Sequence, residues 1–372
     1  MNAFKTFRQT LALSALAVGT AIGSVEARGQ STLNGQISLK GQPVSGSSIT
    51  LWQAQAGQSP KQLSTQRSNK NGAFSVKVRP TQGVIHYLVA EGGDIGGFSA
   101  NQLTMLTVLG GDAHQQVAMN ELTTVGSVWP NAQLLEGTAL EGSQSALTIG
   151  SSQVENLVDQ STGRFGATLL KSTNLLNSET AARMNVLSDL IALCGQQQQS
   201  QACNQLLALT NSDNTLSAMT SIARQPWKNA GELYQLFQSS YPINKATELR
   251  TTATAPYLLF QPKSFSLSLV FDGGGALALG KLMFDGKGSM WSGTNWMPGS
   301  QSGVVNNIGG GVTHFGPGST PLSPAISGYN GQGINGVGWG PGVSEKYAWV
   351  GAFNNLVGVL DLKDGNAPGP AT

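Results

Sequence analysis

Two cysteines, three histidines and a thin scatter of carboxylates are the side chains through which this chain could do covalent or metal chemistry. Cys194 and Cys203 make a poor zinc site by themselves, because no histidine lies between Cys203 and His314. A nucleophilic cysteine would need a base beside it, and the sequence places none near either thiol. In an oxidising compartment an isolated pair reads as one disulfide. His86, His114 and His314 are scattered over separate stretches, and each reads as structural. The most acid and histidine chemistry that the C-terminal third could gather is His314 with Asp285, Glu345, Asp361 and Asp364. The glycine triplets 273–275 and 309–311 are not followed by Lys-Ser/Thr and open no Gly-x-Gly-x-x-Gly helix, so they read as turns. There is no Gly-x-Ser-x-Gly elbow and no His-Glu-x-x-His. The residues therefore name no catalytic group, no metal and no cofactor. Trp291, Trp296, Trp339 and Trp349 could stack on sugar rings as a ligand face, or could simply pack between sheets.

The disulfide reading depends on export, and the N-terminus supplies the signal. Lys5 and Arg8 form a basic start, and Leu11 to Gly23 is apolar or small without a charge. That run is shorter than the roughly 20 residues needed to span a bilayer. Val25 and Ala27 fit the small-residue cleavage rule, which places a cut between Ala27 and Arg28. Residues 1–27 are thus expected to be a signal peptide, and the remainder secreted or periplasmic, with no membrane span after cleavage. Composition excludes other classes. Charged residues are 11% of the chain, against a usual share of about 25%. The balance of 21 Lys+Arg against 19 Asp+Glu neutralises too few phosphates for a nucleic-acid partner.

The elements that must position these residues change in character along the chain. Residues 31–119 read as a small β-sandwich. Leu33 to Leu39 alternates apolar and polar residues, as do Ile49-Thr-Leu51 and Phe74, Val76, Val78, and His86 to Ala90 is a strong strand. Ile37, Leu39, Ile49, Leu51, Phe74, Val76, Val78, Leu88 and Ala90 should face one core. The doublets Gly92-Gly93 and Gly96-Gly97 around Asp94 read as a turn, and Gln115–Met119 is expected to pair with Met105–Leu109. Gly35-Gln-Ile37, Gly41-Gln-Pro-Val44 and the turn Asn69-Lys-Asn-Gly72-Ala-Phe74 resemble the carboxypeptidase regulatory-like domain, a transthyretin-like sandwich. That resemblance implies a structural or partner-contact role without catalytic residues.

Residues 120–245 read as a helical module. Its clearest helix is 179–196, capped by Asn177 or Ser178, with Met184, Leu187, Ile191 and Cys194 on one stripe. Further helices follow: one carrying Cys203, Leu206 and Leu207, one over 215–224, and one opened by an Asn229–Glu232 capping box. Gln196–Gln199 is a solvated link, and 246–276 reads as a linker.

From Gly273 onward lie 25 of the 48 glycines and four of the seven tryptophans, with eight charges in 100 residues. Gly280 to Gly293 and Gly336 to Gly351 repeat, placing Trp291 and Trp349 in register, and Val312 to Gly318 matches Val359 to Gly365. The offset change implies an insertion within Met297–Gly311. A repeat of 40–60 residues with three or four strands marks a propeller blade. Phe284-Asp-Gly-Lys-Gly-Ser-Met-Trp291 is similar to the NHL-type and virginiamycin B lyase-like β-propellers, whose members bind ligands on one face or, in the lyases, use metal, histidine and acid there. Residues 277–372 hold room for two blades, an incomplete ring with open faces: the helical module could cover them, several chains could combine their blades, or the chain is a truncated version of a longer propeller protein, the reading favoured because the repeat stops without a capping segment.

The expectation is therefore a multidomain, mainly β protein with a helical middle module: sandwich, helical module, partial propeller. Its expected role is exported, noncatalytic binding or cell-envelope scaffolding, with a protein or carbohydrate partner and self-association through the open blades. The alternative is a metal-assisted, lyase-like propeller acting on a cyclic or polysaccharide substrate.

Overall fold

The structure, a computed structural model, describes residues 29–111, 114–294, 310–330, 334, 337–352 and 355–366. The expected signal peptide, Trp296 and most of the expected insertion lie outside them, and Trp339 has a described backbone only. The fold is mixed, with seven α-helices and several small sheets among the described residues.

The N-terminal strands are β1 (Ser31–Leu39), β2 (Gln42–Pro43), β3 (Ser48–Gln55), β4 (Gln58–Arg67), β5 (Ala73–Val78), β6 (Val84–Glu91), β7 (Asp94–Ile95), β8 (Phe98–Ser99), β9 (Thr104–Gly110) and β10 (Gln116–Met119). One sheet runs β4-β3-β6-β9, and the other gathers β10, β5 and β2 around β1. All nine core positions expected from alternation are buried. Gly72 takes φ +75° in the turn entering β5, where a Cβ would meet the Ile37 carbonyl oxygen. The Asp94 doublets form the β7–β8 hairpin. The expected pairing of Gln115–Met119 with Met105–Leu109 does not occur. The chain changes sheets after β9, and β10 pairs in parallel with β1, Asn34 opposite Gln116.

Helices α1 (Glu121–Asn131), α2 (Gln144–Leu157), α3 (Ser172–Asn177), α4 (Thr180–Ala192), α5 (Ser200–Thr210), α6 (Thr215–Arg224) and α7 (Ala230–Ser240) follow. Two ribbons flank α2: β11–β12 (Leu135–Glu136 with Ala139–Leu140) and β13–β14 (Val158–Asp159 with Arg164–Phe165). Sandwich and helices are not separate packing units, since one apolar core runs from Leu33 to Phe265. This explains why β6 is buried on both faces rather than alternating: it lies inside that continuous core, with α2 packed against it. The free edge of β9 is closed by hydroxyls. Thr104, Leu106 and Val108 donate their N–H groups to Thr215 Oγ1, Thr124 Oγ1 and Ser127 Oγ at 2.8, 3.3 and 3.0 Å. A sheet edge is thereby satisfied without another strand.

Two expected caps differ. Helix α4 starts one residue late, with Glu179 at its N-cap and no side-chain bond there. Asn229 sits at the N-cap of α7 with φ 54°, and its Nδ2 donates to the Leu209 carbonyl at 2.7 Å instead of its side chain capping the helix. The 246–276 stretch is a strap rather than a free linker. It lies along α3 and α4 with Leu258 and Phe265 buried. Side chains satisfy its backbone: Asn174 at Val270, Thr180 at Ser268, Arg183 at Ser266 and Asn185 at Pro256.

Beyond the strap, β15 (Leu279–Phe284), β16 (Met290–Thr294) and β17 (Val312–Phe315) form one antiparallel sheet. Strands β18 (Val337–Val343), β19 (Tyr347–Ala352) and β20 (Val357–Asp361) form a second. They enclose a cluster of Trp291, Val312, Ile334, Ala348, Val350 and Leu360, and no closed barrel or propeller is present among the described residues. Trp291 and Trp349 both lie on central strands but face opposite ways. Trp291 is fully buried, whereas Trp349 is 45% exposed between buried Ala348 and Val350. Period-2 alternation means that a one-residue shift in matching the repeats reverses the face. No helix among the described residues is long and apolar enough to cross a membrane.

Candidate functional site

The sequence-derived disulfide forms. Helix α4 continues through a 3₁₀ turn, Leu193–Gly195, and α5 begins at Ser200, so the short Gln-rich link brings the start of α5 back against the end of α4. Cys194 and Cys203 are bonded with Cα atoms 4.8 Å apart, and both are buried.

The aromatic face is not assembled. Trp291 is the centre of the small core, its ring stacked on His314 at 3.7 Å between centroids and neighboured by Tyr329 at 6.1 Å. Its indole Nε1 donates to Asp285 Oδ2 at 3.1 Å, and Asp285 Oδ1 accepts from the Lys287 and Ser289 N–H groups. The Asp285 turn, read from sequence as a blade turn, thus locks the indole in place. Trp349 instead projects outward, with Tyr347 edge-on at 6.1 Å.

His314 is buried in β17, and neither ring nitrogen has a hydrogen-bond partner among the described residues. Burial pushes its pKa down to about 4, with Asp285 opposing the shift. No metal set is assembled around His314 among the described residues. The Asp285 carboxylate is already engaged on both oxygens, and His314 faces an indole. Among the described residues no three His, Cys, Asp or Glu side chains converge as a metal set would require. The structure keeps the histidines apart: His86 is buried in β6, and His114 bonds the Leu109 carbonyl at 2.6 Å near α2.

The polar constellation that sequence reading missed lies in the body. Lys40 follows β1 with φ +50°, and its N–H donates to Glu121 Oε1 at 2.5 Å. Lys40 Nζ donates to Asp189 Oδ1 at 2.5 Å and to Thr254 Oγ1 at 2.7 Å, and it sits 5.3 Å from the Tyr241 ring centre. Asp189 is fully buried on α4, and its Oδ2 accepts from the Thr254 N–H at 2.8 Å. Tyr241 donates to the Asp189 carbonyl at 2.8 Å. Glu121, the first residue of α1, is buried beside them. Burial raises its pKa, the Asp189 charge adds to that, and the Lys40 N–H and charge oppose it. The cluster opens on one side to a groove of about 690 Å³ lined by Lys40, Gln42, Gly96, Gln196, Gln199 and Tyr241. Glu121, Asp189 and Thr254 stand 81, 149 and 214 residues from Lys40. The one local signal was an isolated Lys40-Gly41 turn after a strand, which carries no chemistry by itself.

A second cavity of about 430 Å³ lies where the C-terminal sheets meet α2, lined by His114, Ser152, Glu155, Gln160 and Gly318 among others. There Gln153 Nε2 donates to the Pro317 carbonyl and Ser319 Oγ, both at 2.7 Å, and Asn156 Nδ2 to the Gly318 carbonyl at 3.0 Å.

Comparison with known proteins identifies no family. No family model matches the chain. No curated protein matches it either. Among solved structures, a 9R-lipoxygenase from Cyanothece PCC8801 aligns over 76% of this chain and 35% of its own, at 9% identity and a TM-score of 0.16. A likeness that weak carries no argument about fold or activity.

Proposed function

We propose that this is an exported, noncatalytic scaffolding protein whose disulfide-closed body carries two propeller-like sheets, and that these sheets join copies of the chain. The carrying observation is β15. It is the outer strand of its sheet, bonded on one side to β16, and its other edge has no backbone partner among the described residues. Leu282 and Phe284 on it are 51% and 53% exposed, and Leu279 and Met283 are exposed as well. A strand edge of this kind is a template for pairing. An antiparallel β15–β15 contact about a two-fold axis satisfies both edges with the same residues.

Sedimentation of the exported chain over a concentration series tests the reading. Self-association is expected, and Leu282→Lys with Phe284→Lys should give monomers with an unchanged thermal transition of the body. A wild-type chain that stays monomeric throughout the series overturns it.

A further inference from the structure

The Lys40 cluster has the parts of a self-modification site. An amine and a carboxylate from residues 149 apart meet at 2.5 Å. The carboxylate is fully buried, and the amine is about three-quarters so. Each of the remaining contacts has a use in joining them. The Thr254 N–H and Oγ1 bond both Asp189 oxygens at 2.8 Å, which fixes the carboxyl plane and draws charge from its carbon. The Tyr241 ring closes one side. Glu121, held by the Lys40 N–H, lies close enough to feel both the Lys40 and the Asp189 charges.

We propose that Lys40 and Asp189 form an intramolecular amide cross-link, with Glu121 carrying the protons. In the first step one proton passes from Lys40 Nζ to Asp189, leaving a free amine and a carboxylic acid. The free amine attacks Asp189 Cγ. The Nζ–Cγ bond forms and one Cγ–O bond breaks. Glu121 takes a proton from the nitrogen and returns it to the departing hydroxyl, which leaves as water. An ammonium and a carboxylate thus become an amide and water, and no oxidant or co-reactant is needed. The fold provides the reactant concentration, since held groups react as if at very high molarity. Burial raises the Glu121 pKa, which makes its carboxylate a better proton acceptor for that relay. Such a bond would tie the end of β1 to α4, across the junction of sandwich and helices. It is independent of how the C-terminal sheets associate.

Mass spectrometry of the purified, reduced and denatured chain decides the matter. The expected mass is one water, about 18 Da, below that of the processed sequence, with the peptides containing Lys40 and Asp189 recovered as one joined species. Lys40→Arg keeps the charge pair without a nucleophilic amine, so it should fold and give the full mass. Glu121→Gln should fold, as judged by circular dichroism, and remain wholly or largely unjoined. A wild-type chain whose two peptides are recovered separately overturns the proposal, whether or not water is lost elsewhere.

Discussion

The body and the C-terminal sheets solve the same problem, covering apolar faces, with very different means. The body buries side chains from two sheets, six helices and the strap in one continuous core. Its spare polar groups are met by side chains, as at the β9 edge and along the strap. Among the described residues, the cluster of the C-terminal sheets is the Trp291 indole and five buried residues around it. Glycine there brings strands close but adds no apolar surface, so stability per residue must be lower.

The largest effect that would sharpen this contrast is at Trp291. Trp291→Ala should cost about 3–5 kcal/mol, more than a six-residue core can lose. Calorimetry should then show the body transition alone. If the variant instead lowers one common transition, the two regions melt as one unit and the contrast fails.

The pH dependence comes next. The His314 pKa is about 4 in the folded state against 6.5 for an unperturbed imidazole, so the unfolded chain binds more protons between these values. Stability of the sheets is full above about pH 6.5 and falls as pH drops towards 4, by about 3 kcal/mol in all. Urea titration at pH 7 and pH 4.5 reads this out, and His314→Phe should flatten it. An equal loss in the body would show that other groups dominate.

Reducing the disulfide acts on the opposite side. A closed loop of about ten residues is worth about 2.7 kcal/mol in the chain-entropy model. Cys194→Ser with Cys203→Ser should lower the body transition and leave the sheets unchanged. The smallest effect is at the Asn214 cap of α6, whose side chain accepts from the Ser217 N–H at 2.9 Å. Asn214→Ala should cost about 1 kcal/mol, again in the body transition only.

What could be read from sequence followed local rules. Alternation located the sandwich core, spacing located the cysteine pair, and α6 begins and ends where its pattern and Pro226 dictate. Pairings between distant segments were not legible. The β10–β1 ladder, the hydroxyl-covered edge of β9 and the Lys40–Glu121–Asp189 cluster each join residues tens to hundreds of positions apart. The orientation of Trp349 was lost for a different reason: matching two repeats by their aromatic residues fixes the strand but not which face the ring takes. Helices α1 and α2 were indistinct because Gly126, Pro130 and many hydroxyl side chains blur a 3.6-residue period.

The strap has a mechanical meaning. Tension applied to the C-terminal sheets first meets the contacts of α2 with residues 317–319, and then the strap at its Val270 end. The side-chain clasps at Val270, Ser268, Ser266 and Pro256 then come under load one after another rather than together, as in a zipper opened from one end. Peeling stops at Thr254, where Asp189 grips both the backbone and the side chain and Lys40 braces Asp189. Between those points the strap is a length of chain expected to pay out under force while the sandwich and helices stay folded, so that a pull on the sheets would be absorbed before it reached the core.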